Sequence, residues 1–318
     1  MYTKPKVFSI CNLMIVRRFG IIGLVLFFVC GCEEPTSSNV DLLNTTEISG
    51  MGSINFPIST DTNAPLMKIF YQIPQKAHTQ SPILFVLHGN GRDAENCRNL
   101  LIKESETRNI IVVCPEFSSK LFPGSNEYQL GGMFKDGENA LISELREPSI
   151  WTFSLIERIF DKFISSLESE QKYYDMLGHS AGAQFVHRYL KFVPNSRLRK
   201  AVSAASGWYT LPRTDIKFPY GLDQTGVNQI NLEDIFAKSV LISVGSLDTD
   251  PNSSALRHNA DADQQGINRV ERAQYYFNEC QKQASVNQYP LNWKFKKNTG
   301  VEHDFLGNAK EGLQWLYP

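Results

Sequence analysis

The pattern of apolar and polar positions divides the chain into short apolar runs that alternate with longer segments of helical periodicity. The short runs predict β-strands at residues 67–73, 82–87, 110–114, 173–177, 201–205, 240–244 and 292–296. The longer segments place apolar residues three and four positions apart and predict helices at 94–107, 149–166, 181–192, 269–284 and 310–316. Strands that alternate with helices predict an α/β fold with a mostly parallel central sheet and helices on both faces.

The pentapeptide Gly178-His179-Ser180-Ala181-Gly182 lies between a predicted strand and a predicted helix. A serine on a tight strand-to-helix turn, flanked by small residues, is typical of a nucleophile elbow, in which the hydroxyl projects above the sheet. The same five letters also occur in ordinary loops. The strand before them and the helix after them make Ser180 the candidate nucleophile.

A serine nucleophile of this kind needs an acid and then a histidine base later in the chain. His303 follows the last predicted strand and precedes the final helix, so it is the candidate base. Asp248 follows the strand at 240–244 and is the candidate acid, because it can accept a hydrogen bond from the histidine Nδ1 and stabilise the imidazolium. Asp250, on the same loop, is the alternative acid.

A glycine-rich turn, His88-Gly89-Asn90-Gly91, follows the predicted strand at 82–87. A backbone N–H from this turn, paired with the N–H of Ala181, can hold the negative oxygen of a tetrahedral intermediate. Asn90 is the expected donor, and Gly91 is the alternative. Alone, the turn indicates only a flexible connection, but the four features in this order indicate a catalytic site.

With these features the chain resembles an α/β-hydrolase, in particular the bacterial secreted esterases of the poly(hydroxyalkanoate) depolymerase and feruloyl esterase type. The resemblance covers about residues 66–316 and depends on the glycine-rich turn, the elbow at 178–182, Asp248 and His303. It implies an α/β-hydrolase catalytic domain at 53–318 and a Ser-Asp-His triad. The polymer depolymerases often have cysteine where this chain has Asn90, and no polymer-binding module is evident.

Two long segments without regular periodicity, 115–148 and 207–235, are expected to shape the substrate pocket. Their aromatic residues include Phe117, Phe122, Tyr128 and Phe134 in the first segment and Trp208, Tyr209 and Tyr220 in the second. Trp208 and Tyr209 directly follow a strand end and are the candidate substrate-binding residues. Neither segment is long enough for a separate cap domain, so we expect an open site.

The N-terminal 52 residues do not follow the strand and helix pattern. Arg17 and Arg18 precede an apolar run at 19–29, which is too short to cross a bilayer because a spanning helix takes about 20 residues. The run and the cysteines after it resemble a bacterial lipoprotein signal peptide, which implies that Cys32 is lipidated and becomes the first mature residue. We therefore expect a signal peptide at 1–31 and a polar, flexible tether at 32–52.

Composition and charge exclude some partners. The chain of 318 residues is 42% hydrophobic and 20% charged, enough for one large core. Without residues 1–31, which contain four basic and no acidic residues, 28 basic and 33 acidic residues remain, a formal charge of −5 that gives no reason to expect nucleic-acid binding. Outside the cytoplasm the compartment is oxidising, so disulfide bonds can form there.

The sequence allows a disulfide between Cys97 and Cys280 or between Cys97 and Cys114, and it does not choose between these two pairings.

A metal site and a cofactor are not expected. Asp248, Asp250 and Asn252 resemble the start of a calcium loop, but Ser253 and Asn259 stand where that loop needs glycine and glutamate. No other ligand spacing suggests a metal.

Together these features predict a serine esterase that acts on a small-molecule ester and is lipid-anchored in the bacterial cell envelope, facing the periplasm or the exterior. A histidine base implies that activity falls below about pH 6.5. A peptidase is the alternative within the enzyme class, because the same triad cleaves amides. The alternative from another class is a surface lipoprotein that binds ligands without catalysis.

Overall fold

The computed structural model describes residues 48–225 and 232–318. Strands in these residues form one sheet, in which the order is β1-β2-β4-β3-β5-β6-β7-β8. The strands are β1 (Met51–Pro57), β2 (Leu66–Gln72), β3 (Ile83–Leu87), β4 (Ile111–Pro115), β5 (Tyr174–His179), β6 (Leu198–Ala204), β7 (Ser239–Gly245) and β8 (Trp293–Asn298). β1 and β2 are antiparallel to their neighbours, and the other six strands are mutually parallel. This confirms the predicted sheet.

The helices of the described residues include those that the sequence predicts and two short ones that it does not, at Leu232–Ala237 and Ala260–Asp263. They are α1 (Ala94–Leu100), α2 (Ile102–Arg108), α3 (Ser154–Ser166), α4 (Ala181–Phe192), α5 (Leu232–Ala237), α6 (Ala260–Asp263), α7 (Arg269–Asn287) and α8 (Phe305–Leu316). None of the helices in this part of the chain is long and apolar enough to cross a membrane.

Two apolar clusters lie on the two faces of the sheet. Alternate residues of β3 point to opposite faces, so Phe85 joins a cluster with α3, α4 and α7, whereas Leu84 joins one with α1 and α8. Each fully buried side chain of this size stabilises the fold by about 1.5–3 kcal/mol. The predicted helical cover on both faces is therefore confirmed.

β1 is not predicted by the sequence. Its residues have no clear alternation of apolar and polar side chains, and β2 supplies the ladder hydrogen bonds at this edge of the sheet. Met51 and Gly52 therefore belong to the sheet rather than to the tether predicted for 32–52, and Ile48 before them is only 4% exposed. The predicted signal peptide, Cys32 and most of the tether lie outside the described residues.

Several helix boundaries also differ from the predictions. α3 begins at Ser154 rather than at 149, and α7 ends at Asn287 rather than at 284. The helix predicted for 94–107 is two helices, because the backbone at Leu101 leaves the helical region with φ −102° and ψ 3°. α8 begins at Phe305, earlier than the predicted 310, because the Asp304 side chain accepts the N–H of Gly307 and caps the first turn. α8 therefore starts two residues after His303.

The parallel strands bring the predicted site residues to one edge of the sheet. The glycine-rich turn follows β3, Ser180 follows β5, Asp248 follows β7, and His303 follows β8. The carboxyl ends of parallel strands are where ligands bind in open α/β sheets. All four features lie at this edge.

Candidate active site

Ser180 occupies a strained turn between β5 and α4. Its backbone has φ 54° and ψ −111°, which is rare for a residue with a side chain and costs on the order of 1–3 kcal/mol. The Ser180 N–H donates to the carbonyl of Ala204 on the neighbouring strand β6 at 2.9 Å. The surrounding sheet and helix thus hold the serine in the predicted elbow.

The two glycines of the elbow are required by close backbone contacts. A Cβ on Gly178 would lie 2.2 Å from the carbonyl oxygen of Gly182, and a Cβ on Gly182 would lie 2.1 Å from the carbonyl oxygen of Leu87. Real Cβ atoms do not approach a backbone oxygen so closely, and a backbone atom cannot swing aside as a side chain can. The sequence of small residues around Ser180 is therefore the direct cause of the tight turn.

Ser180, His303 and Asp248 form one chain of hydrogen bonds. His303 Nδ1 lies 2.7 Å from Asp248 Oδ2, and His303 Nε2 lies 3.1 Å from Ser180 Oγ. An ionised carboxylate only accepts, so Nδ1 is the protonated nitrogen and Nε2 accepts the serine hydroxyl. The alternative acid, Asp250, is exposed, and its carboxylate instead accepts the N–H of Asn252 at 2.8 Å.

Asp248 also contacts a buried arginine that sequence reasoning missed. Arg269, the first residue of α7, places Nη1 3.3 Å from Asp248 Oδ1, and the two side chains are only 1% and 3% exposed. The same Nη1 lies 3.3 Å from Ser253 Oγ. A buried carboxylate needs a partner, because transfer of an unpaired charge out of water is very costly. No pattern in the sequence links residues 248 and 269.

The glycine-rich turn after β3 packs directly against the elbow. A Cβ on Gly89 would lie 3.7 Å from the Cβ of Ser180. His88 fixes the turn: its Nε2 accepts the N–H of Phe117 at 3.0 Å, and its Nδ1–H donates to the carbonyl of Gly89 at 2.9 Å. Burial lowers the pKa of His88 to about 4, so this ring is neutral at physiological pH.

The structure brings Asn90 and Ala181 to the same cavity as Ser180. Neither backbone N–H donates to another group of the described residues. Ala181 is the first residue of α4, where an N–H has no partner within the helix. Gly91, the alternative donor, lines a second cavity that also contacts Ser180, but not the first.

The fold of the chain is similar to those of two solved hydrolase structures. Poly(aspartic acid) hydrolase-1 from Sphingomonas sp. KT-1 is 31% identical, superposes with a TM-score of 0.79, and the match covers 85% of this chain and 99% of that one. The chain belongs to the α/β-hydrolase family. The resemblance predicted from the sequence is thereby confirmed.

A second relative agrees with this assignment. LpqC, a poly(3-hydroxybutyrate) depolymerase from Bordetella parapertussis, is 26% identical, with a TM-score of 0.79 and coverage of 87% of this chain and 94% of that one. FphF, a fluorophosphonate-binding serine hydrolase from Staphylococcus aureus, is 12% identical with a TM-score of 0.51 and shares the fold alone. No protein-family model and no curated protein matches the chain. Both nearer relatives are hydrolases, and this α/β-hydrolase is a hydrolase too.

Two cavities meet at Ser180 in this α/β-hydrolase. The arginine cavity, of about 300 Å³, is lined among others by Ser125, Gln129, Gln184, Trp208 and Arg257. The histidine cavity, of about 290 Å³, is lined among others by Asp93, Asn96, His179, His303 and Phe305. Asn90, Ser180 and Ala255 line both. A substrate bound across the serine can therefore place one half in each cavity.

His179 packs against the ring of His303 in the histidine cavity. The two ring centroids are 4.7 Å apart, and Phe305 meets His179 edge-on at 5.9 Å. Burial first, and then the nearby His303 and Arg269, hold the pKa of His179 well below its usual value. His179 is therefore an uncharged residue that lines the histidine cavity.

Of the two aromatic residues predicted to bind substrate, one lines a cavity in the structure and the other does not. Trp208 lines the arginine cavity. Tyr209 does not: it is fully buried, its ring stacks on Tyr276 at 4.3 Å, and its backbone is held on both sides by Gln265. Both side chains are buried, but only that of Trp208 has a face toward the arginine cavity. The expectation that Tyr209 contacts substrate is wrong.

The first long segment lines the arginine cavity through glycine and polar residues rather than through its aromatics, whereas the described part of the second segment lines it through Trp208. The aromatics Phe117, Phe122, Tyr128, Phe134 and Tyr220 are all buried. Gly124, Ser125 and Gln129 of the first segment line the arginine cavity instead. Residues 226–231 of the second segment lie outside the described residues.

The described residues contain no group of three histidine, cysteine or carboxylate side chains close enough to hold a metal ion.

Cys97, Cys114 and Cys280 are all buried, and none of them forms a disulfide in the structure. Burial raises the pKa of Cys280 to about 12 and that of Cys114 well above its usual value. Because the thiolate is the reactive form, these thiols are expected to be unreactive at neutral pH.

Proposed function

We propose that the protein is a serine hydrolase that cleaves carboxylic esters through an acyl-enzyme intermediate. The main support is the hydrogen-bond chain from Asp248 through His303 to Ser180, with distances of 2.7 and 3.1 Å. These distances are within reach for proton transfer between a nucleophile, its base and the acid that orients the base. This series of hydrogen bonds ends at Ser180, which lines both cavities.

Acylation uses the serine and the histidine together. Ser180 Oγ attacks the ester carbonyl while its proton passes to His303 Nε2, and Asp248 stabilises the imidazolium that forms. The backbone N–H groups of Asn90 and Ala181 donate to the carbonyl oxygen as it becomes negative. When the tetrahedral intermediate collapses, the ester C–O bond breaks and His303 returns the proton to the leaving alcohol.

Deacylation repeats these steps with water. His303 takes a proton from a water molecule that attacks the acyl-enzyme, and the same two N–H groups stabilise the second tetrahedral intermediate. The proton then returns to Ser180 as the carboxylic acid leaves. All groups in the scheme belong to the chain itself or to water.

Hydrolysis of p-nitrophenyl esters from acetate to palmitate tests the proposal. We expect turnover by the wild type and a loss of about five to six orders of magnitude in kcat for Ser180→Ala, the size of loss seen when a catalytic serine is removed. Ser285→Ala, on the exposed side of α7, is the matched control. Comparable rates for Ser180→Ala and the wild type would contradict the proposal.

Amide hydrolysis is the second candidate. The relative at 31% identity is named a poly(aspartic acid) hydrolase, and units of that polymer are joined by amide bonds. The same triad chemistry serves both bond types. Release of new amino groups from poly(aspartic acid), compared with ester turnover at the same enzyme concentration, separates the two candidates. A larger kcat/KM for the amide would favour the second.

We also propose that the enzyme is lipid-anchored through Cys32 in the cell envelope. The support is the order of basic residues, apolar run and cysteine in the N-terminal sequence. The mass of the N-terminal peptide, isolated from membranes of a bacterial host, tests this. An unmodified Cys32 in the mature protein would contradict it.

A further inference from the structure

The two cavities beside Ser180 have different roles if the proposed esterase function is correct, and the inference below rests on that function. His303 lines the histidine cavity and not the arginine cavity. His303 must protonate the departing alcohol, so the alcohol half of the ester lies in the histidine cavity. The acyl half then lies in the arginine cavity, between Gln184, Trp208 and Arg257.

The arginine cavity is next to two arginines. Arg257 lines it directly. Arg188 lies behind its wall and donates to the Gln184 carbonyl at 3.1 Å and to the Gln129 carbonyl at 3.2 Å. The guanidinium carbons of Arg188 and Arg257 lie 4.1 and 4.6 Å from the ring centre of Trp208. The wall of the cavity is thus an indole flanked by two cations.

The positive charge beside this cavity is only partly compensated. Glu138 pairs with Arg257 through contacts of 2.6 and 2.7 Å. Arg188 has no ion-pair partner among the described residues: it donates to Thr210 Oγ1, to Gln184 Oε1 and to backbone carbonyls, and its fully buried Nη2 has no acceptor. Burial lowers its pKa to about 9, so Arg188 is still cationic at neutral pH. Two cations therefore face one carboxylate.

No acidic side chain is among the described residues that line the arginine cavity, whereas Asp93 lines the histidine cavity. A negative group is therefore favoured on the acyl side and disfavoured on the alcohol side. Charge is worth more in a partly dehydrated cavity than in bulk water, because the effective dielectric constant is lower.

We infer that the substrate carries a free carboxylate on its acyl half and a neutral alcohol half, as in a monoester of a short dicarboxylic acid. A cavity of about 300 Å³ has room for such a short acyl group. Arg257 binds the carboxylate at the cavity surface. Arg188 contributes its charge through the wall and holds Gln184 and Gln129 in place.

Three esters test the side and the sign of this preference. Monoethyl succinate carries the carboxylate on the acyl half, ethyl succinamate is its neutral analogue, and 3-(propanoyloxy)propanoate carries the carboxylate on the alcohol half. Each kcat/KM is divided by the rate of alkaline hydrolysis of the same ester, which removes intrinsic reactivity. We expect the first ester to exceed the second by about 10- to 100-fold, the value of a hydrogen bond to a charged group, and the third to fall at or below the second.

The variant Arg257→Gln tests whether Arg257 binds the substrate carboxylate. The ratio of monoethyl succinate to ethyl succinamate should fall at least tenfold, and replacing Glu138 as well with glutamine should restore part of it, because Arg188 then has no opposing carboxylate. Arg213→Gln is the matched control, since Arg213 is also paired with a carboxylate, Asp215, but lines neither cavity. The wild-type ratio should also shrink between about 0.05 and 0.5 M salt as screening increases, a measurement that needs no variant to fold.

The outcomes separate the inference from the proposed function. Turnover of all three esters with a ratio near one, or a ratio unchanged in a folded Arg257→Gln, overturns the inference and leaves the esterase function intact. Preference for the alcohol-side carboxylate overturns the assignment of the cavities. No turnover of any ester, together with no reaction of Ser180 with a fluorophosphonate, overturns both.

Discussion

The elbow around Ser180 is held by close backbone contacts and neutral histidines, whereas the loop around Asp248 is held by a buried ion pair. On the serine side, Gly178 and Gly182 pack against backbone atoms with no space for a Cβ. On the acid side, the Asp248 carboxylate and the Arg269 guanidinium share a site that is almost closed to water. His303 connects the two sides with one hydrogen bond to each.

The difference determines how each side fails when it is altered. A larger residue in the elbow meets backbone atoms that cannot move aside, so the damage is steric. Removal of one partner on the acid side leaves a buried charge without compensation, so the damage is electrostatic, on the order of 3–5 kcal/mol. The serine side is also specified within five consecutive residues, whereas the acid side depends on residues 21 positions apart.

The largest expected effect on the acid side is that of Asp248→Asn. The carboxamide keeps the shape but no longer orients the histidine tautomer or stabilises the imidazolium, and we expect kcat to fall by about 10⁴-fold. Asp250→Asn, two residues away and exposed, is the control and should change kcat by less than about twofold. Steady-state kinetics on one ester measures both. Equal losses in the two variants would refute the assignment of the acid.

The second largest effect is the loss of stability when the ion pair between Asp248 and Arg269 is broken. Arg269→Met should lower the free energy of unfolding by about 3–5 kcal/mol, because Asp248 then stays buried without its cation. The double variant Asp248→Asn/Arg269→Met should lose much less than the sum of the two single variants, since neither charge remains. Urea denaturation of the four proteins in the cycle measures the coupling. A coupling energy near zero would mean that the ion pair does not hold the acid loop.

The smallest effect is the pH dependence of stability on the serine side. The pKa of His88 is about 4 in the folded protein, below the value of about 6.5 for a free histidine, so the unfolded chain binds more protons between these pH values. Acidification from about pH 6.5 to about pH 4 therefore lowers stability through His88 by up to about 3 kcal/mol, and none of this loss is present at neutral pH.

The buried His179 and His187, whose pKa values are also lowered, change stability in the same direction. Urea denaturation at several pH values gives the slope, and His88→Gln should reduce it by up to about one proton. A stability that does not change between pH 7 and pH 4.5 would contradict the neutral, buried state of these rings.

The serine side of the site could be predicted from the sequence more fully than the acid side. The elbow is a local arrangement, so its glycines, its strand and the bounds of α4 at Ala181–Phe192 follow from neighbouring residues. Asp248 and His303 follow from their places after predicted strands. The predicted N-terminal lipidation stays a prediction.

The rest of the site could not be predicted because it depends on tertiary contacts. Arg269 and Arg257 reach the site from a helix and a loop whose approach no periodicity encodes. Tyr209 and the aromatics of the first long segment were expected at the pocket, but burial of a large apolar ring stabilises the core more than exposure at a cavity wall does. β1 is an edge strand whose partner, rather than its own sequence, supplies its structure.

The most direct test of Ser180 as the nucleophile is covalent labelling of the intact protein with a fluorophosphonate, followed by mass spectrometry of its peptides. We expect one adduct per chain, located on Ser180. Its rate of formation should drop by about 10⁴-fold in Asp248→Asn, and no adduct should form in Ser180→Ala. Labelling at another residue, or no labelling of the folded wild type, would contradict the claim that Ser180 is the activated nucleophile.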